Sequence, residues 1–115
     1  MFQQIQCIFD ELKRRRLFLV TAESLTGGLI AKHITDIPGA SDIFWGGWVT
    51  YSAEAKHHLL NVPAEILEHF GVVSIETAAA MAKGALTVAS ASSGRQGYAL
   101  AVTGLAGPSG GTPQL

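Results

Sequence analysis

The sequence predicts an α/β fold, a sheet carrying helices on both faces. Three observations lead there. Short apolar, β-branched or aromatic segments near 17–20, 47–51 and 98–103 have the length and composition of buried strands. Stretches with helical apolar spacing separate them. Each strand candidate also runs out into hydroxyl-bearing residues, Ser24 and Thr26, Thr50 and Tyr51, and Thr103. Ligand sites of α/β sheets form outside the carboxyl ends of parallel strands, so parallel pairing would gather these residues on one edge.

Taken in order, Ile5, Ile8, Phe9 and Leu12 define an amphipathic helix over 3–16, with Cys7 on its apolar side. Lys13-Arg14-Arg15-Arg16 closes it, where positive charge complements the helix dipole. Leu17-Phe18-Leu19-Val20 reads as the first strand, and Leu29 to about Thr35 as the second helix. Residues 36–41 form a turn by composition. The second strand is expected from Gly47 to Tyr51. Ser52 caps a short helix to Leu60, Pro63 opens another to about His69, and Gly71 stops it. Ser74 caps a long alanine-rich helix to about Ser90, with Thr77 completing half of a capping box. Tyr98–Thr103 is the third strand, followed by a glycine-rich loop over 104–113.

Bulk properties set limits. The length of 115 residues fits one domain, and 48% hydrophobic against 15% charged residues favours a packed core over disorder. A net charge of −1 leaves no basic excess for nucleic acid. One cysteine excludes an internal disulfide and suits a reducing, cytoplasmic setting. No signal peptide is visible and no apolar stretch is long enough for a bilayer, so no membrane partner is expected.

The organising stretch is Thr21-Ala22-Glu23-Ser24-Leu25-Thr26-Gly27-Gly28, between strand and helix. Backbone amides gather at such a turn and favour an anion or oxyanion. The plainer alternative makes Ser24 or Thr26 an N-cap and the glycines a means of tight packing. The parts for a hydrolase are nevertheless present. Ser24 would attack, Lys56 would take its proton once burial lowers the lysine pKa, Tyr51 would orient the lysine or relay a proton, and amides at Thr26, Gly27 and Gly28 would stabilise the oxyanion. The alternative for Lys56 is a solvated helix lysine paired with a carboxylate. Adjacent His57 and His58 cannot chelate one metal together, and with His33 and His69 far off in sequence and no cysteine partner no zinc site is expected. Nothing in the spacing requires Glu23 and Asp36 to be a carboxylate pair.

These motifs, with Pro38-Gly39-Ala40-Ser41, Gly46–Lys56, Gly71-Val72-Val73-Ser74 and Thr103–Thr112, resemble the C-terminal domain of the competence/damage-inducible CinA proteins, a family that includes stand-alone nicotinamide-nucleotide amidases. The resemblance runs in order from about residue 3 to the last residue. It implies a three-layer α/β/α fold with a mixed five-stranded sheet, and deamidation of nicotinamide mononucleotide to nicotinic acid mononucleotide and ammonia, without a metal or other cofactor. By the same resemblance Ser24 and Lys56 are catalytic with Tyr51 nearby, and Thr26, Gly27, Gly28, Thr103, Gly104 and Gly107 hold the nucleotide. A homodimer or higher homo-oligomer is implied. Leu25 stands where the family usually has cysteine and Ala53 where it has asparagine. The chain also ends before the family's last strand and helix, which leaves an expected unpaired sheet edge and an uncovered apolar face. The competing reading is a catalytically silent relative, a nucleotide-binding or oligomerisation module.

Overall fold

A computed structural model describes residues 2–105. Helix α1 (Phe2–Arg15) leads into strand β1 (Phe18–Glu23), helix α2 (Leu29–Thr35), a 3-10 turn (Ala40–Asp42) and strand β2 (Phe44–Val49). Helices α3 (Ala53–Leu60), α4 (Ala64–Phe70) and α5 (Ile75–Ser93) follow, then strand β3 (Gly97–Ala101). The three strands form one sheet in the order β2-β1-β3, and both pairings are parallel. Among the described residues the sheet thus has three strands, all parallel, where the resemblance implied a mixed sheet of five.

Alternation along β1 builds the layers. Phe18, Val20 and Ala22 face α3–α5 and pack with Leu60, Val62, Met81, Ala85 and Ala89. Leu19 faces the other way, into a second cluster made by Phe9 and Leu12 of α1, Ile34 of α2, and Ala40 and Ile43. The chain leaves β1 over one face and returns from β2 to β3 over the other. Strand order therefore reverses at β1, and the carboxyl ends of all three strands open on one edge.

The strand boundaries differ from expectation for identifiable reasons. β1 runs on through Thr21, Ala22 and Glu23 because each pairs with β2, opposite Gly47, Trp48 and Val49. Gly47 is needed there, since a Cβ would lie 2.2 Å from the Thr21 hydroxyl. β2 starts earlier, at Phe44, which fills the α1/α2 side of the sheet. It stops at Val49, so Thr50 and Tyr51 turn towards α3 instead of extending the strand. β3 ends at Ala101, although the Val102 amide still donates to Ala22.

α1 buries the ridge Phe9 and Leu12, with Ile5 packed beside it. One ridge at i, i+4, i+7 is sufficient contact with the sheet, which leaves Cys7 and Ile8 exposed and corrects the expectation that they are core. Ser52 and Ser74 cap α3 and α5, accepting the amides of Ala55 and Thr77 at 3.0 Å each. Thr77 does not complete a capping box; its hydroxyl donates to the Gly71 carbonyl. α5 runs to Ser93 and ends on Gly94 in the left-handed conformation. On the α1/α2 face, β3 presents Tyr98 and Leu100 to solvent, and none of the described residues pairs with its outer edge.

Candidate active site

Ser24 follows β1 directly and is buried; Lys56 lies in the first turn and a half of α3 and is also buried, 1% exposed. These residues are 32 positions apart in sequence, and their Oγ and Nζ atoms meet at 3.0 Å. The lysine is held from behind by the carbonyls of Thr50 at 2.7 Å and Tyr51 at 3.4 Å. Both carbonyls come from the residues that leave β2 early, so the short strand is what supplies the lysine with acceptors. Among the described residues Lys56 has no carboxylate partner. Burial without a counter-charge pulls its pKa below the ordinary lysine value. That is the condition under which an amine accepts a proton from serine.

Tyr51 enters this arrangement through its main chain. Its side chain is 68% exposed, and among the described residues its hydroxyl makes no hydrogen bond. The hydroxyls of Thr21 and Thr50 are buried and have no partner among the described residues. Ala53, exposed, opens α3 one turn before Lys56.

The turn after Ser24 is organised by Glu23, which the sequence considered only for pairing with Asp36. Glu23 is 1% exposed. Its carboxylate accepts the Thr26 hydroxyl at 2.6 Å and the amides of Ile30 at 2.9 Å and Ala31 at 3.0 Å. Burial pushes its pKa up, but these bonds and the Gly28 amide outweigh that effect and hold the carboxyl below its usual range. Asp36 instead pairs with Lys32, and neither Ser24 nor Thr26 caps α2, whose N-cap is Gly28. A signal for Glu23 was present in the sequence: a glycine pair opens α2 with no capping side chain, and an acid stands a few residues upstream.

The turn amides are distributed accordingly. Gly27 donates to the Ser24 carbonyl, whereas the amides of Leu25 and Thr26 have no partner among the described residues. The pair following the nucleophile candidate, not Gly27 and Gly28, is thus free for an oxyanion. At the end of β3, the Thr103 hydroxyl donates to the Val72 carbonyl at 2.7 Å, and Gly104 lies against the Leu25 side chain. A shallow groove of about 410 Å³ runs along Val73, Ser74, Ala101, Val102 and Thr103 at this sheet edge. Gly107, expected to hold nucleotide, lies outside the described residues. Among the described residues no group of three His, Cys, Asp or Glu side chains could hold a metal ion, and no helix is long and apolar enough to cross a membrane.

The family model described as CinA C-terminal domain matches residues 2–115. This chain belongs to that family. Among its relatives, a CinA-like protein of Akkermansia muciniphila is 52% identical over 109 residues, covering 95% of this chain and 25% of its own length. A putative competence-damage inducible protein of Symbiobacterium thermophilum is 53% identical over 109 residues, with 95% and 24% covered. The chain therefore spans about a quarter of these curated relatives. The crystal structure of the competence/damage inducible protein CihA from Agrobacterium tumefaciens superposes with a TM-score of 0.86 at 42% identity, covering 98% of this chain and 66% of that one. An Escherichia coli CinA superfamily protein gives 0.79 at 34% identity, with 91% and 58% covered. The α/β fold expected from the sequence is that of these structures, and the sheet is parallel among the described residues.

Proposed function

We propose that this CinA-family chain carries a serine-lysine amidohydrolase site whose substrate is nicotinamide mononucleotide. The observation that supports it most is the buried 3.0 Å approach of Ser24 Oγ to Lys56 Nζ, with no carboxylate on the lysine among the described residues. Neutral Lys56 takes the Ser24 proton as Oγ adds to the carboxamide carbon. The oxyanion is met by the amides of Leu25 and Thr26, which have no partner among the described residues. Lys56 then returns the proton to the departing nitrogen, the carbon–nitrogen bond breaks and ammonia leaves. Water, deprotonated by the same lysine, cleaves the acyl ester, which frees the nicotinic acid product and restores Ser24.

In this reading Tyr51 steadies the lysine through its carbonyl, and its exposed ring is available to cover substrate. Thr26 acts through its main chain, since its hydroxyl is engaged by Glu23. Gly27 and Gly28 keep the turn thin enough for close approach. Thr103 and Gly104 hold the nucleotide from the β3 side, and Gly107 is a further nucleotide-binding residue. We further read residues 1–115 as one domain, cytoplasmic, with no metal or organic cofactor and no nucleic-acid or membrane partner. The exposed Tyr98 and Leu100, beside a strand edge that none of the described residues pairs, support homo-oligomer formation.

The second reading, a silent nucleotide-binding or oligomerisation module, is favoured by Ala53, which brings no polar side chain where the family usually has asparagine. Ammonia release from nicotinamide mononucleotide separates the two. Activity is expected in the purified chain and should fall at least about a thousandfold in Ser24→Ala and Lys56→Ala, both folded by circular dichroism. Turnover that survives Ser24→Ala would refute the mechanism, and a silent wild type would favour the module.

A further inference from the structure

We infer that Glu23 is a positioning residue for the nucleophile, an inference that rests on the reading of Ser24 above. Glu23 and Ser24 are consecutive at the end of β1, and the pleat sends their side chains to opposite faces. Ser24 meets Lys56 of α3, while Glu23 meets the start of α2. The link between them is five residues long and contains Gly27 at φ 63° and Gly28 at φ 104°. A glycine pair in the left-handed region is conformationally free and by itself would hold Ser24 poorly.

One carboxylate closes this link at both ends. Thr26, before the glycines, and Ile30, after them, both donate to Oε1, and Ala31 donates to Oε2. α2 has no capping side chain at Gly28, so Glu23 satisfies amides that would otherwise lack acceptors in the interior. Glu23 also stays in the ladder, its carbonyl accepting the amide of Thr50 at 2.8 Å, and Thr50 is the residue whose carbonyl holds Lys56. The residue preceding the nucleophile is therefore anchored to β2 by its backbone and to α2 by its side chain. The backbone that carries Ser24 is thereby held beside the lysine.

The test compares wild type, Glu23→Gln, Glu23→Ala and Ser24→Ala. Glu23→Gln keeps the shape but turns one acceptor oxygen into a donor facing an amide. Hydrogen exchange at Gly27–Ala31 is expected to rise about tenfold or more in Glu23→Gln, with α5 unchanged. Labelling of Ser24 by a fluorophosphonate should slow roughly 10- to 100-fold. Its pH dependence should also flatten, because a displaced serine no longer reports the ionisation of Lys56. Exchange at Gly27–Ala31 equal to wild type overturns the inference even if Glu23→Ala does not fold. Equal labelling rates and pH profiles in wild type and Glu23→Gln overturn it as well. A wild type that labels no faster than Ser24→Ala overturns the nucleophile reading itself, while the exchange data still judge the tie.

Discussion

Gly84→Ala is expected to destabilise the protein and to reach the candidate site through α3. Gly84 is buried in the middle of α5, where the helix crosses the end of α3. A Cβ there would lie 1.8 Å from the Leu60 carbonyl oxygen, 2.8 Å from its carbon and 3.1 Å from its Cβ. The obstacle is backbone, so no rotamer relieves it, and the helices must separate by roughly 1.5 Å to regain ordinary contact. Overpacking of this kind costs about 1–3 kcal/mol, and alanine returns about 1 kcal/mol of helix propensity. With backbone as the obstacle the upper end applies, leaving a net loss of about 2 kcal/mol. For a domain of this size that lowers Tm by about 8 °C. Thermal melting followed by circular dichroism measures it. Lys56 lies one turn before Leu60, so the same displacement should slow Ser24 labelling. A Tm at or above wild type would refute the packing argument.

Other outcomes follow from the same geometry. Lys56→Met should abolish activity and reveal the cost of the buried amine through pH. The folded lysine loses its proton below the ordinary value of 10.5, where the unfolded chain still binds one. Wild-type stability relative to Lys56→Met should therefore rise with pH across the window from the folded pKa to 10.5, as read by urea titration; a falling difference would contradict the assignment. Glu23 works in the opposite sense. Its carboxylate stabilises the fold above the ordinary value of 4.5, and the contribution disappears as pH falls through the lower folded pKa. Glu23→Gln should accordingly flatten the acid limb of the stability curve, and an unchanged limb would count against its buried charge. Ser74→Ala removes the acceptor of the Thr77 amide and should cost about 1 kcal/mol, visible as a Tm loss of a few degrees without change in Ser24 labelling.

Much of this protein is determined by its sequence locally. Strand-length apolar segments, serines ahead of helical runs, and glycines behind them state their roles within a few residues, which is why both caps and all three strands were readable. Ser24 and Lys56 were readable as residue types next to element ends. Their relation was not. Whether a lysine on a short helix is solvated or buried depends on which strand end faces it. That was decided by the parallel register of β1 and β2 and by the early end of β2, which turns two carbonyls onto Nζ. Likewise Cys7 and Ile8 fit the apolar stripe of α1, yet only the contact between α1 and the sheet selects which ridge is covered. Glu23 is the clearest case. Its chemistry as a helix-start anion is legible in sequence, but its choice over Ser24 and Thr26 follows from the pleat of β1, which aims it at α2 and leaves Ser24 for Lys56.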